Sequence, residues 1–318
     1  MFDTLTILRF ASLAGLVVLS SAILTLVVER TCIRVGWFDM PGERKMQKIP
    51  VPRMGGLAVV LTIFLFAKNL PLHVPEILWG GALLVFVGGF LDDAKVTNSV
   101  MGKLFFQIPS ALFFAMGCHL EVLPWDHAAV FGFRGLIFLF VFFMTNAANL
   151  MDNMNGLAGG ISVVIIASFA ALAGFFLGDL AFATAGGIVC ASVIGFSFRN
   201  FPAGKIYIGD QGSQFLGFFA ACYAILFWIK AAWIFPHLSY GKASLLLAGS
   251  FLLFIYDVAS VVRIRLKEGR SPFVGDQSHI SHRLVKKGFT PTRAVLILIG
   301  IQTALSTLIG FLTATLLG

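Results

Sequence analysis

The segment "NLMDNMNGLAGG", Asn149 to Gly160, sets one aspartate and three asparagines between two long apolar runs. An aspartate at mid-bilayer costs about 2.5–3.5 kcal/mol on insertion scales. Such a stretch belongs at a water interface or against other protein, where it can do chemistry. Asn146, Asn149, Asp152 and Asn155 recur every third residue. If the preceding helix continues, they form one slowly drifting polar row. Gly156, Gly159 and Gly160 follow and allow neighbouring backbones to approach closely. A polar seam between helices would explain the row. So would an oxygen-rich surface for a magnesium–phosphate complex, because magnesium takes one or two carboxylates plus substrate phosphates.

Four other segments carry comparable chemistry. "FLDDAKV" places Asp92 and Asp93 side by side at the end of an apolar run, with Lys95 and Lys103 as candidate partners. Adjacent carboxylates repel, and both oppose the helix dipole at a C-terminus. A solvated helix end accounts for the pair; so does a site in which cations or a metal compensate it. In "NFPAGKIYIGDQGS", Asp210 opens a helix where an aspartate is favourable in any case. Gly209 and Gly212 flank it, Lys205 and Tyr207 precede it, and an aromatic beside an anion-handling site can stack on a base. "HISHRL" supplies His279, His282 and Arg283 in a basic connection that suits phosphate better than metal, although anionic lipid headgroups would suit it too. "KIPVPRMGG" is a proline-stiffened turn whose cationic groups are Lys48 and Arg53. Together the aspartates, amides, cations and aromatic suit metal-assisted phosphoryl transfer, which depends on positioning and charge neutralisation.

The elements that must position these residues are membrane helices. The chain has 318 residues, 58% of them hydrophobic and 12% charged, with a mean hydropathy of +0.92. A soluble domain carries roughly 25% charged residues. Apolar runs recur over the whole length, and no polar stretch is long enough for a separate soluble domain. The expectation is an all-α, polytopic helical bundle formed by residues 1–318 as a single domain. It has about ten spans (eleven if a glycine-rich run divides): 5–28, 54–68, 77–91, 104–118, 133–149, 156–177, 181–198, 211–230, 244–262 and 294–316. The first run has no basic n-region and no small-residue cleavage site, so it is read as a retained span. Of the 23 Lys and Arg residues, 17 fall in the connections after spans 1, 3, 7 and 9. By the positive-inside rule those connections are cytoplasmic and both termini lie outside. The same parity places all five polar segments on the cytoplasmic face, which argues for one assembled site. Burying such a site in a bundle suggests that one substrate is a lipid. The four cysteines form no CxxC and read as buried free thiols. No Walker-type glycine loop is present, so ATP hydrolysis is not indicated, and nothing points to nucleic acid.

With these segments in this order over nearly the whole chain, the sequence resembles the polyprenyl-phosphate N-acetylhexosamine-1-phosphate transferases. The resemblance rests on "KIPVPRMGG", "GFLDDAKV", "NAANLMDNMNGLAGG", "NFPAGKIYIGDQGS" and "HISHRL". It implies a UDP-N-acetyl sugar donor, an undecaprenyl phosphate acceptor, UMP as a product and a requirement for Mg²⁺, with Mn²⁺ as an alternative. It also implies a bacterial inner-membrane location and leaves a homodimer open. By the resemblance, Asp210 and Asn149 contact the metal–pyrophosphate, and Lys48 and Lys103 lie in the donor site. Asn200 and Tyr207 hold and stack on uracil. Asp92 assists the attacking lipid phosphate, with Asp93 and Asp152 close by, while Asn155, His279, His282 and Arg283 complete the substrate site. "HISHRL" looks like the O-antigen and teichoic-acid branch rather than the peptidoglycan translocase. Two departures stand out. The family's DGxDG reads "DNMNG" here, with Asn153 and Asn155 at the variant positions, and the middle histidine of HxHH is Ser281. A catalytically silent relative and a midplane-site transporter are the competing classes, but transporters show broken helices and repeats near the bilayer centre.

Overall fold

Glycine sets the packing of the most enclosed helix. The computed structural model describes residues 3–42, 47, 49–67, 76–96, 100–120, 126–272 and 276–317. In chain order the helices are α1 (Thr4–Val35), α2 (Gly55–Ala67), α3 (Glu76–Asp93), α4 (Val100–Gly117), α5 (His127–Met151), α6 (Leu157–Phe176), α7 (Leu180–Asn200), α8 (Gly209–Ile234), α9 (Tyr240–Ser250), α10 (Leu252–Lys267), α11 (Ile280–Lys286) and α12 (Pro291–Leu317). A short antiparallel ladder, β1 (Phe38–Asp39) with β2 (Val51–Pro52), pairs Phe38 with Pro52 and Asp39 with Val51.

Helix α8 is apolar on nearly all sides, and 22 of its 26 residues are buried, as expected of a helix enclosed by others. It packs against α2, α3, α5 and α6. A Cβ on Gly56 would lie 2.5 Å from the Gly212 Cα, one on Gly89 2.4 Å from the Gln211 Cα, and one on Gly217 2.6 Å from the Ala148 Cβ. Helices α2, α3 and α5 thus meet α8 nearly backbone to backbone. The outer helices are different. Leu8, Leu16 and Leu19 on α1, and Leu296, Leu308 and Phe311 on α12, are exposed. In water that surface would be a liability; in a bilayer it faces lipid.

The protein is an all-α, multi-pass membrane protein, but the described helices do not support ten spans. Six are long and apolar enough to cross a membrane (α1, α5, α6, α7, α8 and α12), and α9 with α10, bent by 67°, would make a seventh. Helix α2 has 13 residues, and α3 and α4 have 18 each. At 1.5 Å per residue these reach about 20 and 27 Å, short of a hydrocarbon core of about 30 Å. Helix α3 also carries Glu76, Asp92 and Asp93. Apolar composition alone did not reveal how short these helices are. All four cysteines are buried and free.

Candidate active site

The site is built around the first turn of α8. Three backbone hydrogen bonds pin the chain entering α2 to the chain entering α8: Tyr207 N to Pro52 O (2.8 Å), Gly55 N to Tyr207 O (2.8 Å) and Gly56 N to Ile208 O (2.7 Å). Between them sits Gly209, at φ +73°, where a Cβ would come within 2.4 Å of both Arg53 O and Asp93 Oδ2. Only glycine fits that backbone and that contact. The turn delivers Asp210 onto two cations from different elements. Arg53 Nη2 lies 2.6 Å from Asp210 Oδ1, and Lys103 of α4 donates to Asp210 Oδ2.

The same cations reach the two aspartates that end α3. Arg53 Nε is 2.8 Å from Asp93 Oδ1, and Lys103 Nζ is 3.1 Å from Asp92 Oδ2. Asp93 Oδ2 also accepts from Gln211 N at 3.0 Å. The adjacent carboxylates are therefore separated by their partners, one facing Arg53 and the other Lys103. Arg53 also lies 3.6 Å from Asp39 on β1. Burial works against its charge, but Asp93, Asp210 and Asp39 outweigh burial and hold the guanidinium above its ordinary value.

This cluster forms the base of a cleft of about 830 Å³. Of the residues nominated from sequence, Lys103, Asn149, Asp152, Asn155, Asn200, Tyr207, Asp210, His279 and His282 line it. Asp92 and Asp93 stand behind the lining and touch it through Lys103 and Arg53. Arg283 turns away from it, donating to Ser260 Oγ on α10 at 2.7 Å. Lys48 lies outside the described residues.

The row expected at Asn146, Asn149, Asp152 and Asn155 does not run as one helix face. Helix α5 ends at Met151, and a turn precedes α6. Asn146 Nδ2 donates to Phe142 O at 2.9 Å, within its own helix. Asn149 Nδ2 donates to Ser213 Oγ at 3.0 Å, which fixes it beside the Asp210 turn. Burial, reinforced by Asp210 and Asp93 against the pull of Arg53, pushes Asp152 up to about 8. Asn200 Nδ2 donates to Ile206 O at 2.9 Å and braces the loop that carries Tyr207. The Tyr207 hydroxyl donates to Gln47 Oε1 at 3.1 Å, and burial, with Asp39 and Asp152, raises it to about 12.

The opposite wall comes from the connection between α10 and α11. His279 Nδ1 lies 2.7 Å from Asp257 Oδ2 on α10. Asp276 accepts from Arg265 (3.0 Å), Arg270 (2.6 Å) and the Ser278 hydroxyl (2.8 Å). His282 has its ring centroid 6.5 Å from that of His279, and burial, then His279, lowers its pKa.

Several of these residues escaped the sequence reading. Asp39 and Gln47 read as ordinary loop residues, and nothing in their spacing marks them. Asp257 did carry a signal, since a lone aspartate inside "LLFIYDVASVV" is costly unless it is partnered.

Among the described residues, no three His, Cys, Asp or Glu side chains form a preformed metal cage. The donor set nevertheless fits a divalent cation. Among the described residues Asp39, Asp92, Asp93 and Asp210 share two cations, Arg53 and Lys103, so carboxylates outnumber cations there, and Asp152 stands close by. Hard oxygens from one or two carboxylates suit magnesium, with substrate phosphates and water completing the shell.

An all-α membrane bundle with an anion-handling cleft at one end of its buried helix defines an integral-membrane enzyme class rather than a soluble one. The chain belongs to glycosyl transferase family 4, whose model matches residues 76–228. It is 30% identical, over 92% of its own length and 82% of the relative's, to a probable undecaprenyl-phosphate N-acetylglucosaminyl 1-phosphate transferase of Bacillus subtilis (strain 168). It is 29% identical, over 89% and 79%, to the undecaprenyl-phosphate alpha-N-acetylglucosaminyl 1-phosphate transferase of Yersinia pestis. Identity to the decaprenyl-phosphate N-acetylglucosaminephosphotransferase of Mycolicibacterium smegmatis (strain ATCC 700084 / mc(2)155) is 28%, over 89% and 78%.

Proposed function

We propose that this protein transfers an N-acetylhexosamine-1-phosphate from a UDP-sugar to undecaprenyl phosphate, releasing UMP. An oxygen of the lipid phosphate bonds to the phosphorus that carries the sugar, and the bond from that phosphorus to UMP breaks. The observation that carries this reading is Asp210, held between Arg53 and Lys103 at the base of the cleft, with Asp92 and Asp93 on the same two cations. It is joined by the family's relatives, which by name act on polyprenyl phosphates.

In this reading Lys103 and Arg53 bind the diphosphate as the carboxylates exchange partners. Tyr207 offers its ring to uracil, and Asn200 holds the loop that presents it. Asp210 and Asn149 would hold Mg²⁺, or Mn²⁺ in its place, with Asp152 beside them. When bound, that ion neutralises charge on the diphosphate and the leaving group. Asp92 orients the attacking lipid phosphate, which is already anionic and needs no strong base. His279 and His282 face the phosphates from the far wall. The isoprenoid tail lies in a second, apolar cleft of about 670 Å³ lined by Phe140, Phe143, Met144, Trp228 and Leu247. Met144 and Asn149 share α5, about 7.5 Å apart along its axis, so one helix serves both clefts.

The polar cleft faces the cytoplasm of a bacterial inner membrane, with both termini outside. Helices α2, α3 and α4 complete ten crossings, their short ends capped by the polar loops. Membranes carrying the protein should release UMP from a UDP-N-acetylhexosamine when undecaprenyl phosphate and Mg²⁺ are supplied, and EDTA should stop the release. UMP release that persists in EDTA removes the cation from the reading. Uridine nucleotide binding without UMP indicates a silent relative instead.

A further inference from the structure

Asp257 has no part in the chemistry set out above, yet it is 1% exposed within α10, in the bent pair of helices that together pass as a span. A carboxylate there is costly unless both oxygens are satisfied. Both are. Oδ1 accepts from Ile280 N at 2.7 Å, and Oδ2 lies 2.7 Å from His279 Nδ1. One turn further along α10, Ser260 Oγ accepts from Arg283 at 2.7 Å. Helix α10 thus holds α11 at two points, and the first also sets the orientation of a cleft-lining ring.

We propose that Asp257 is a positioning residue for phosphate handling: it keeps a proton on His279 Nδ1 and turns Nε2 toward a phosphate group in the cleft. The inference rests on the activity proposed above. A bare structural brace does not require a carboxylate here. An asparagine could still accept from Ile280 N, but its amide would donate to Nδ1 and reverse which ring nitrogen carries the proton. Only an acceptor at both positions fixes the Nδ1–H form and reserves Nε2 for the cleft. A protonated ring held this way donates Nε2–H to a phosphate oxygen in a charge-assisted bond, with the Asp257 carboxylate behind it. Asp276, His282, Arg283 and Lys286 are the other ionisable groups around this ring and helix. Of these, Asp276 is engaged by Arg265 and Arg270, and Arg283 by Ser260.

The test uses the full chain in lipid nanodiscs, with UDP-N-acetylglucosamine, undecaprenyl phosphate and Mg²⁺, and reads UMP release. Asp257→Asn should lower kcat by about 10–100-fold, the range seen when the carboxylate behind a metal-bound histidine is lost, while KM for the donor stays within about twofold. The double variant Asp257→Asn/His279→Gln should be no worse than His279→Gln alone, because both changes remove one unit. A wild-type kcat in Asp257→Asn, or losses that multiply in the double variant, would overturn the proposal. A second measurement does not depend on how Asp257→Asn folds. In wild-type protein labelled with ¹⁵N-histidine, the signal lost in His279→Gln should show a proton on Nδ1. An unprotonated Nδ1 would overturn the proposal as well. Wild-type protein that releases no UMP would sink the activity, while the histidine signal would still decide the Asp257 pairing.

Discussion

The two ends of α8 each carry paired charge, to different purpose. At its start, Asp210 shares Arg53 and Lys103 with Asp92 and Asp93 in a mesh that opens onto a cleft. Some 30 Å away along the axis, Lys230 pairs with Asp179, whose other oxygen caps α7 by accepting from Phe182 N at 2.8 Å. Lys230 also lies 5.4 Å over the Phe182 ring. A second pair, Arg199 with Glu29, ties α7 to α1 through two bonds of 2.8 and 2.6 Å. Lys230 with Asp179 and Arg199 with Glu29 match one cation to one carboxylate and join helices. Among the described residues the cleft mesh has more carboxylates than cations, and that excess is what a cation bound with a diphosphate would satisfy. Charge that joins helices is matched, whereas charge that awaits a ligand is left unmatched.

Breaking the mesh should therefore affect turnover far more than breaking a pair. The largest effect expected is from Asp210→Ala, which should lower UMP release by about 10³-fold or more, since among the described residues it is the carboxylate that both cations share. Size-exclusion elution should be unchanged. Arg53→Met should follow, with a loss of about 10²-fold in UMP release and a lower melting temperature, because Asp93 is left buried without its cation.

A third prediction concerns pH. Asp152 sits at about 8 in the fold and near 3.9 in an unfolded chain, so the folded state binds its proton more tightly. Stability without metal is then greatest below the lower value and falls as pH rises toward 8. The melting temperature in EDTA should decline between pH 5 and pH 8, and Asp152→Asn should flatten that decline. A decline that persists in Asp152→Asn would assign it to another group.

A smaller effect is expected where two departures from the family pattern meet. Ser281 Oγ donates to Asn153 Oδ1 across 128 residues of sequence, and Asn153 Nδ2 donates to Leu150 O at 3.2 Å. Two of the three variant positions thus hold each other beside the cleft that Asn153 lines. Asn153→Gly and Ser281→Ala should each change UMP release by only a few-fold, and the double variant should match the singles, as contacting residues do. Smallest of all, Asp179→Asn should leave UMP release unchanged and shift stability by no more than about 1 kcal/mol, the usual worth of a partly exposed pair. A large loss of activity there would erase the distinction between the two ends of α8.

Much of this arrangement was legible in the residues. Asp210, Lys103, Asn149, Asp152 and Tyr207 stood out because polar groups in a very apolar chain are costly and seldom idle. The mesh between them was not legible. Arg53 looked like one cation of a proline-rich turn, yet it bonds to carboxylates 40 and 157 positions along the chain. Asp257 was passed over inside a span because an apolar run hides a single acid from composition. Hydropathy counted ten apolar runs without fixing helix length or where a helix bends, and six of the described helices, or seven with the bent pair, are long enough by themselves to cross.

By itself the sequence determined the class of solvent this chain folds in, the all-helical architecture, and which polar segments had to escape the lipid, because transfer free energy is local and additive along the chain. Only the tertiary structure decided which cation meets which carboxylate, which histidine nitrogen is occupied, and how far each helix runs before it ends or bends. Those outcomes depend on ångström-scale approach between distant segments, and that approach was set here by glycines packed against the backbone of one buried helix.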